Sequence, residues 1–398
     1  MRNRVTWLEI IILACITAAA GIICGVWAFK YYKTSKPAGE DNAAYFSSVY
    51  AEKKNDFSNL ENNSDTSGNS SDSVIIDSTR ASAYQKLKNG ERINVLVLGD
   101  ETCTGYGSES DTVWLDTLSQ KLYDEYGSSV YITNLAYNYA TAFIQYYEVK
   151  ALDNNVDYDL ILVSVGANDV RTDYKTGFDS QYEALVRAAK SKYPNAELLT
   201  VIQSTEGQTS QKSEAIRAIT EHYNGDCIDA AATFLLSSNA ELNYDGVFPN
   251  DTGYELYVTA TMQTIALCVG EDKKTTEFPS EVLYEDAAAY DSYQYISFSS
   301  MSETAPGVYQ TTVKKDFDVF SLLYVLNGDG GVYRLYVNDY EYEYRDTKWT
   351  QSSERRQVSI FESKEGDSFT GNTKIRIEVE DTNNKPRILG LIVSGIDQ

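Results

Sequence analysis

Two apolar runs in this chain close on glycine: Ile93 to Leu98 leads into Gly99-Asp100, and Leu160 to Val165 leads into Gly166. Short runs with no polar interruption suit strands buried on both faces, the situation found in parallel sheets. Trp114, Leu118, Leu122 and Tyr126 recur every four residues, which puts them on one face of a helix. Val130 to Ala136 predicts the next strand. A helix over 178–192, a strand over Leu198 to Ile202, a helix over 210–223 and a short fifth strand within Ile228 to Phe234 follow. Tyr254, Val258, Met262, Ile265 and Val269 mark a final helix. This alternation predicts a three-layer α/β/α sandwich around a parallel sheet over residues 81–270, with any ligand at the carboxyl ends of the strands.

Residues 271–290 read as a charged connector, and beyond it the period changes to two. Tyr333-Leu335-Val337 face one way and Arg334-Tyr336 the other, and Ile375-Ile377-Val379 alternate with Lys374-Arg376-Glu378. Residues 291–398 are therefore expected to form an all-β sandwich or jelly roll. Asn327-Gly328-Asp329-Gly330-Gly331 superficially suggests a calcium loop but lacks the EF-hand spacing and terminal Glu, so a hairpin turn is the better reading. Tyr336, Tyr340, Tyr342 and Tyr344 could form a sugar-stacking platform, although aromatics along strands more often serve as core or cross-strand pairs.

At the other end, Ile10 to Phe29 is a 20-residue run without a charge, enough to cross a hydrocarbon core of about 30 Å. Residues 1–36 are read as a short cytoplasmic tail and a single, uncleaved membrane anchor. Residues 37–80 follow as a juxtamembrane segment, with a possible helix over Asn42 to Lys54 and a Ser/Asn/Asp-rich tether over 58–73. Flanking charges are nearly balanced, so orientation rests on the remainder, whose acidity and abundant tyrosine suit a domain outside the cytoplasm.

Composition then excludes chemistry. With 58 acidic against 34 basic residues the formal charge is −24, which argues against a nucleic-acid partner. Cys103, Cys227 and Cys268 are an odd number without metal-site spacing, read as buried free thiols with a Cys227–Cys268 bridge as the alternative. No metal or other cofactor is implied. His222 is the one histidine of the chain. Any mechanism using an imidazole base must use it, yet it falls at the end of the helix before the fifth strand, away from the strand ends that would carry a site.

The strand-end motifs resemble the SGNH (GDSL-type) esterase and lipase family. They are Val97-Leu98-Gly99-Asp100-Glu101-Thr102 with Gly105-Tyr106-Gly107, Asn134-Leu135-Ala136, Gly166-Ala167-Asn168-Asp169, and Asp245-Gly246-Val247-Phe248-Pro249-Asn250 followed by Gly253-Tyr254. The resemblance covers residues ~92–269 and implies an SGNH/flavodoxin-like fold with an acyl-transfer site. In that site a serine follows Gly-Asp, a glycine and an asparagine donate to the oxyanion, and an Asp orients a histidine base. Here the nucleophile position holds Glu101, the base position holds Phe248, and the second-block glycine position holds Tyr139, while Asn168 and Asp245 remain. Cys103 has no imidazole to activate it and reads as a buried small residue.

The sequence thus points to a pocket lined by Gly99, Asp100, Glu101, Tyr139, Gly166, Asn168, Asp245 and Phe248, with no catalytic residue in place for Ser-His chemistry. The expectation is a membrane-anchored extracytoplasmic protein that binds a cell-envelope glycan or acylated sugar. One alternative is an active esterase or O-acyltransferase with a non-standard site, and a separate one is a Glu101–Asp245 carboxylate pair doing acid/base work on a glycosidic bond. Another is a scaffold protein of the envelope.

Overall fold

The computed structural model describes residues 77–396, apart from 78, 111–112, 153–155, 170–176, 206–209, 237–241, 351–353, 364–367 and 382. Ile10 to Phe29, Asn42 to Lys54 and the 58–73 tether lie outside the described residues. Among the described residues no helix is long and apolar enough to cross a membrane.

The first half alternates as its apolar runs require. After α1 (Ala83–Lys88) come β1 (Ile93–Gly99), α2 (Glu101–Thr104), α3 (Trp114–Tyr126), β2 (Val130–Asn134), α4 (Ala142–Ala151) and β3 (Leu160–Ser164). The chain continues through α5 (Phe178–Lys192), β4 (Glu197–Ile202), α6 (Gln211–His222), β5 (Asp226–Asp229), α7 (Ala230–Leu236) and α8 (Asp251–Gly270). All five strands are parallel, in the order β2-β1-β3-β4-β5. Alternate residues of each strand feed two separate cores. Leu96, Leu98, Ile161, Val163 and Leu198 pack with α4, α5 and α6, whereas Val95, Val97, Leu162, Leu199 and Val201 pack with α1, α3 and α8. The two faces explain why the strands read as continuous apolar runs.

The fifth strand differs from expectation. It ends at Asp229, and Ala230–Leu236 is helical because the Asp229 carboxylate accepts from Ala232 N (2.7 Å), starting a helix where apolar composition alone suggested strand.

The second half forms two antiparallel sheets. One holds β7 (Ser302–Ala305), β8 (Val308–Val313), β10 (Val332–Val337), β11 (Tyr340–Asp346) and β13 (Thr373–Val379). The other holds β6 (Tyr293–Ser297), β9 (Val319–Leu326), β12 (Arg355–Glu362) and β14 (Arg387–Ser394) in the order β12-β9-β14-β6. Phe320, Leu322, Tyr324, Leu391 and Val393 of the second sheet meet Tyr333, Leu335, Val337, Ile375 and Ile377 of the first. The opposite face of the same second sheet is buried too: Tyr293, Tyr295, Val319, Leu323 and Ile392 join the core containing α4 and α5. Polar links reinforce that contact, with Arg356 to Glu148 at 2.7 Å and Arg187 to Asp291 at 2.7 Å.

The Asn327–Gly331 turn is not a hairpin. β9 and β10 belong to different sheets, so the segment carries the chain across the sandwich, closed by Gly330 N to Asn327 O at 3.2 Å. The four tyrosines divide. Tyr342 packs on Phe320, Phe361 and Phe369, Tyr336 lies under Arg376 and Tyr344 under Arg334, and Tyr340 is 68% exposed. They form no common platform, because the β-bulge near Tyr336 turns Tyr342 inward. Cys103, Cys227 and Cys268 are all free thiols.

Candidate functional site

The site grows from the carboxyl ends of β1 and β3. Gly99 closes β1 where a Cβ would fall 2.7 Å from the Cys103 side chain and 3.1 Å from Ser164 O, so only glycine fits. Asp100, fully buried, then caps α2. One carboxylate oxygen accepts from Thr102 N (3.1 Å), Thr102 Oγ1 (3.0 Å) and Gln203 Nε2 (2.8 Å), and the other from Gly166 N (3.2 Å) and Ala167 N (3.3 Å). It therefore ties together the ends of β1, β3 and β4. Burial, and then the charge of Glu101, push its pKa up to about 7 against the pull of those donors.

Glu101, which the resemblance puts at the nucleophile position, is 3% exposed. Its Oε1 accepts from the backbone N–H of Tyr139 at 2.8 Å, and its Oε2 accepts from Asn168 Nδ2 at 2.7 Å. Tyr139 holds φ at +69°, a left-handed conformation that a glycine would adopt without steric cost. The loop that presents it is braced by Thr104 Oγ1 donating to Asn138 Oδ1 (2.6 Å) and by Asn134 Nδ2 donating to Cys103 O (2.9 Å). Asn168 is held by a second bond from Nδ2 to Ala140 O (3.1 Å). The backbone beside it is clamped by Lys212, whose Nζ donates to Gly166 O (2.6 Å) and Asp169 O (3.0 Å).

Asp245 and Phe248 stand at the rim. Asp245 is exposed, and its Oδ1 accepts from Val247 N (3.0 Å) and Phe248 N (2.9 Å), closing a turn on itself. The Phe248 ring lies edge-on to Tyr106 at 5.2 Å, and Tyr106 meets Tyr244 at 6.0 Å. Burial followed by the charge of Asp245 pushes the Tyr106 phenol up, with Tyr139, Tyr244 and Glu101 adding to it. The structure thus brings Asp100, Glu101, Tyr139, Gly166 and Asn168 into one hydrogen-bonded set. Asp245 and Phe248 join it through Tyr106. His222 is elsewhere, its Nε2 2.9 Å from Glu281 O and its ring against Tyr223. Burial pushes the Cys103 thiol up to about 12, so it is no nucleophile.

Residues 97–256 match the GDSL-like Lipase/Acylhydrolase family. This α/β half is a GDSL-like domain. Among solved structures, a two-domain esterase active on acetylated mannans superposes with a TM-score of 0.62 at 15% identity, covering 78% of this chain and 94% of its own. The same esterase co-crystallised with mannopentaose gives 0.61 at 15% identity, over 78% and 93%. An acetyl xylan esterase variant from Geobacillus stearothermophilus, at 18% identity, covers 44% of this chain and 94% of its own with a TM-score of 0.35. No curated protein matches the chain. The two-domain likeness shows that the α/β unit followed by a β-rich unit is an architecture this chain shares.

The resemblance to SGNH esterases implies a serine nucleophile, with a backbone N–H and an asparagine amide receiving the developing oxyanion. Here both donors already hold a carboxylate. Charge-assisted hydrogen bonds of this length are the strong ones, on the order of 1.5–3 kcal/mol each. A substrate carbonyl would have to displace Glu101 from them, and no imidazole stands nearby to activate a nucleophile. The Glu101 carboxylate keeps lone pairs beyond those its two donors use, and the half-buried Tyr139 belongs to the same set. Sequence reasoning missed Tyr106 as a rim residue, although its Gly105-Tyr106-Gly107 setting was visible. It also missed Trp349 and Arg355, whose place over Tyr139 has no local signal.

Proposed function

We propose that this protein is a membrane-anchored, extracytoplasmic glycan-binding protein whose GDSL-like domain has lost ester hydrolysis. The observation that carries the reading is the Glu101 carboxylate sitting on Tyr139 N and Asn168 Nδ2, the two donors an esterase of this fold reserves for its oxyanion. The sugar assignment is supported by the pocket's make-up. Tyr106 and Tyr244 are 40% and 59% exposed, and with Phe248 and Trp349 they offer faces to the C–H side of pyranose rings beside a hydroxyl-accepting carboxylate. The shared architecture with an esterase active on acetylated mannans is in keeping with a carbohydrate ligand. The uncharged run Ile10 to Phe29 is the proposed anchor, with the bulk of the chain outside the cytoplasm.

Hydrolysis of an activated acetate ester by the wild-type chain should not exceed the buffer rate. A rate that disappears in Glu101→Ala would overturn the reading and establish an esterase with a carboxylate-based site. A glycan array comparing wild type with Glu101→Ala and Phe248→Ala should then show sugar binding weakened by both changes. Binding indifferent to both would move the function out of this pocket.

A further inference from the structure

Tyr139 is met by two residues of the C-terminal half. Arg355, the first residue of β12, places its guanidinium carbon 3.9 Å from the Tyr139 ring centroid and 5.5 Å from that of Trp349. The two rings meet edge to face at 6.3 Å. Arg80, Arg187 and Arg356 are also partly buried, and each holds a carboxylate. Arg355 holds none: among the described residues its side chain donates no hydrogen bond and makes no ion pair. Its Nε is shielded from solvent without an acceptor, and so is Nε1 of Trp349. Glu101 does not meet this need, because its two oxygens face Tyr139 N and Asn168 Nδ2.

Buried donors without acceptors are costly, and such donors usually have a partner. An Arg fork is suited to a planar carboxylate. The Glu101 charge nearby and the chain's net −24 disfavour a dianion over a monoanion. Resting on the glycan reading of this same pocket, we infer that Arg355 and Trp349 form a subsite for the carboxylate of a uronic-acid residue, so that the ligand is an acidic glycan. The neutral part of the sugar lies over Glu101 and the rim aromatics, and the carboxylate reaches the domain junction.

The test uses the full chain and an array pairing uronate oligosaccharides with their carboxyl-reduced forms, plus sulfated and phosphorylated sugars. The wild type should prefer uronates over their reduced forms at least about tenfold, the order expected of one charge-assisted hydrogen bond. Arg355→Gln should lower binding of uronates about tenfold more than binding of the reduced forms, and an unchanged melting temperature would show that the fold is intact. Trp349→Phe, which keeps a ring and removes the N–H, should lower the preference in part. Equal binding of uronates and reduced forms overturns this inference and leaves the glycan reading standing. Preference for sulfated or phosphorylated sugars overturns the carboxylate assignment. Binding of no sugar overturns both readings.

Discussion

If Glu101 blocks a site whose oxyanion donors are otherwise in place, replacing it should unmask them. Glu101→Ser frees Tyr139 N and Asn168 Nδ2, which the carboxylate now engages at 2.8 and 2.7 Å, and supplies a hydroxyl at the nucleophile position. One such donor is worth about 10²–10³ in rate, or roughly 2.7–4 kcal/mol. The serine still lacks a base, so the single variant should gain little. Phe248→His places an imidazole three residues after Asp245, whose carboxylate already turns toward the backbone of residue 248 at 2.9 Å. The two changes act as a unit, so the gain should be strongly non-additive. The expected outcome is hydrolysis of an activated acetate ester by the double variant, at least about 10²-fold above either single variant. Its rate should rise with pH through a value near 6.5 as the imidazole loses its proton. The reasoning fails if the double variant melts like wild type yet stays at the buffer rate, because the donors would then not be aimed at an oxyanion. It fails equally if the single Glu101→Ser variant matches the double.

Stability makes further demands. Because the Asp100 pKa rises from an ordinary 3.8 to about 7 in the folded protein, its protonation stabilises the fold. That contribution is complete below about pH 4 and is lost as pH climbs through about 7, by an upper figure of roughly 4 kcal/mol. Glu101→Gln removes one cause of the shift, so urea midpoints across this range should slope less steeply than in wild type, and an unchanged slope would refute the coupling. Arg356→Ala removes the ion pair made by the buried Glu148 carboxylate and should cost more in chemical unfolding than removing the exposed Arg387–Glu354 pair, which should cost under about 1 kcal/mol. Gly99→Ala drives a methyl against Cys103 and Ser164 O and should destabilise by about 1–3 kcal/mol, measured the same way.

The sheet was legible because its strands are buried on both faces, and Gly99 and Gly166 marked where two of them stop. The grouping of Glu101, Tyr139 and Asn168 was legible because their motifs sit at strand ends, and the topology brings strand ends together. Two kinds of feature escaped. The helix after Asp229 depends on a cap that apolar composition conceals. The contact over Tyr139 depends on Arg355 and Trp349, more than 200 residues from it in the chain, which come there by packing of the β12-β9-β14-β6 sheet on α4 and α5. The bulge that turns Tyr342 inward escaped for a related reason, since strict alternation assigns it to the same face as Tyr340 and Tyr344.

The sheet β12-β9-β14-β6 shows apolar side chains on both faces, one toward its companion sheet and one toward α4 and α5. Neither half of the molecule could therefore be expressed alone without leaving a broad sticky plane in water, a surface that recruits chaperones or aggregates.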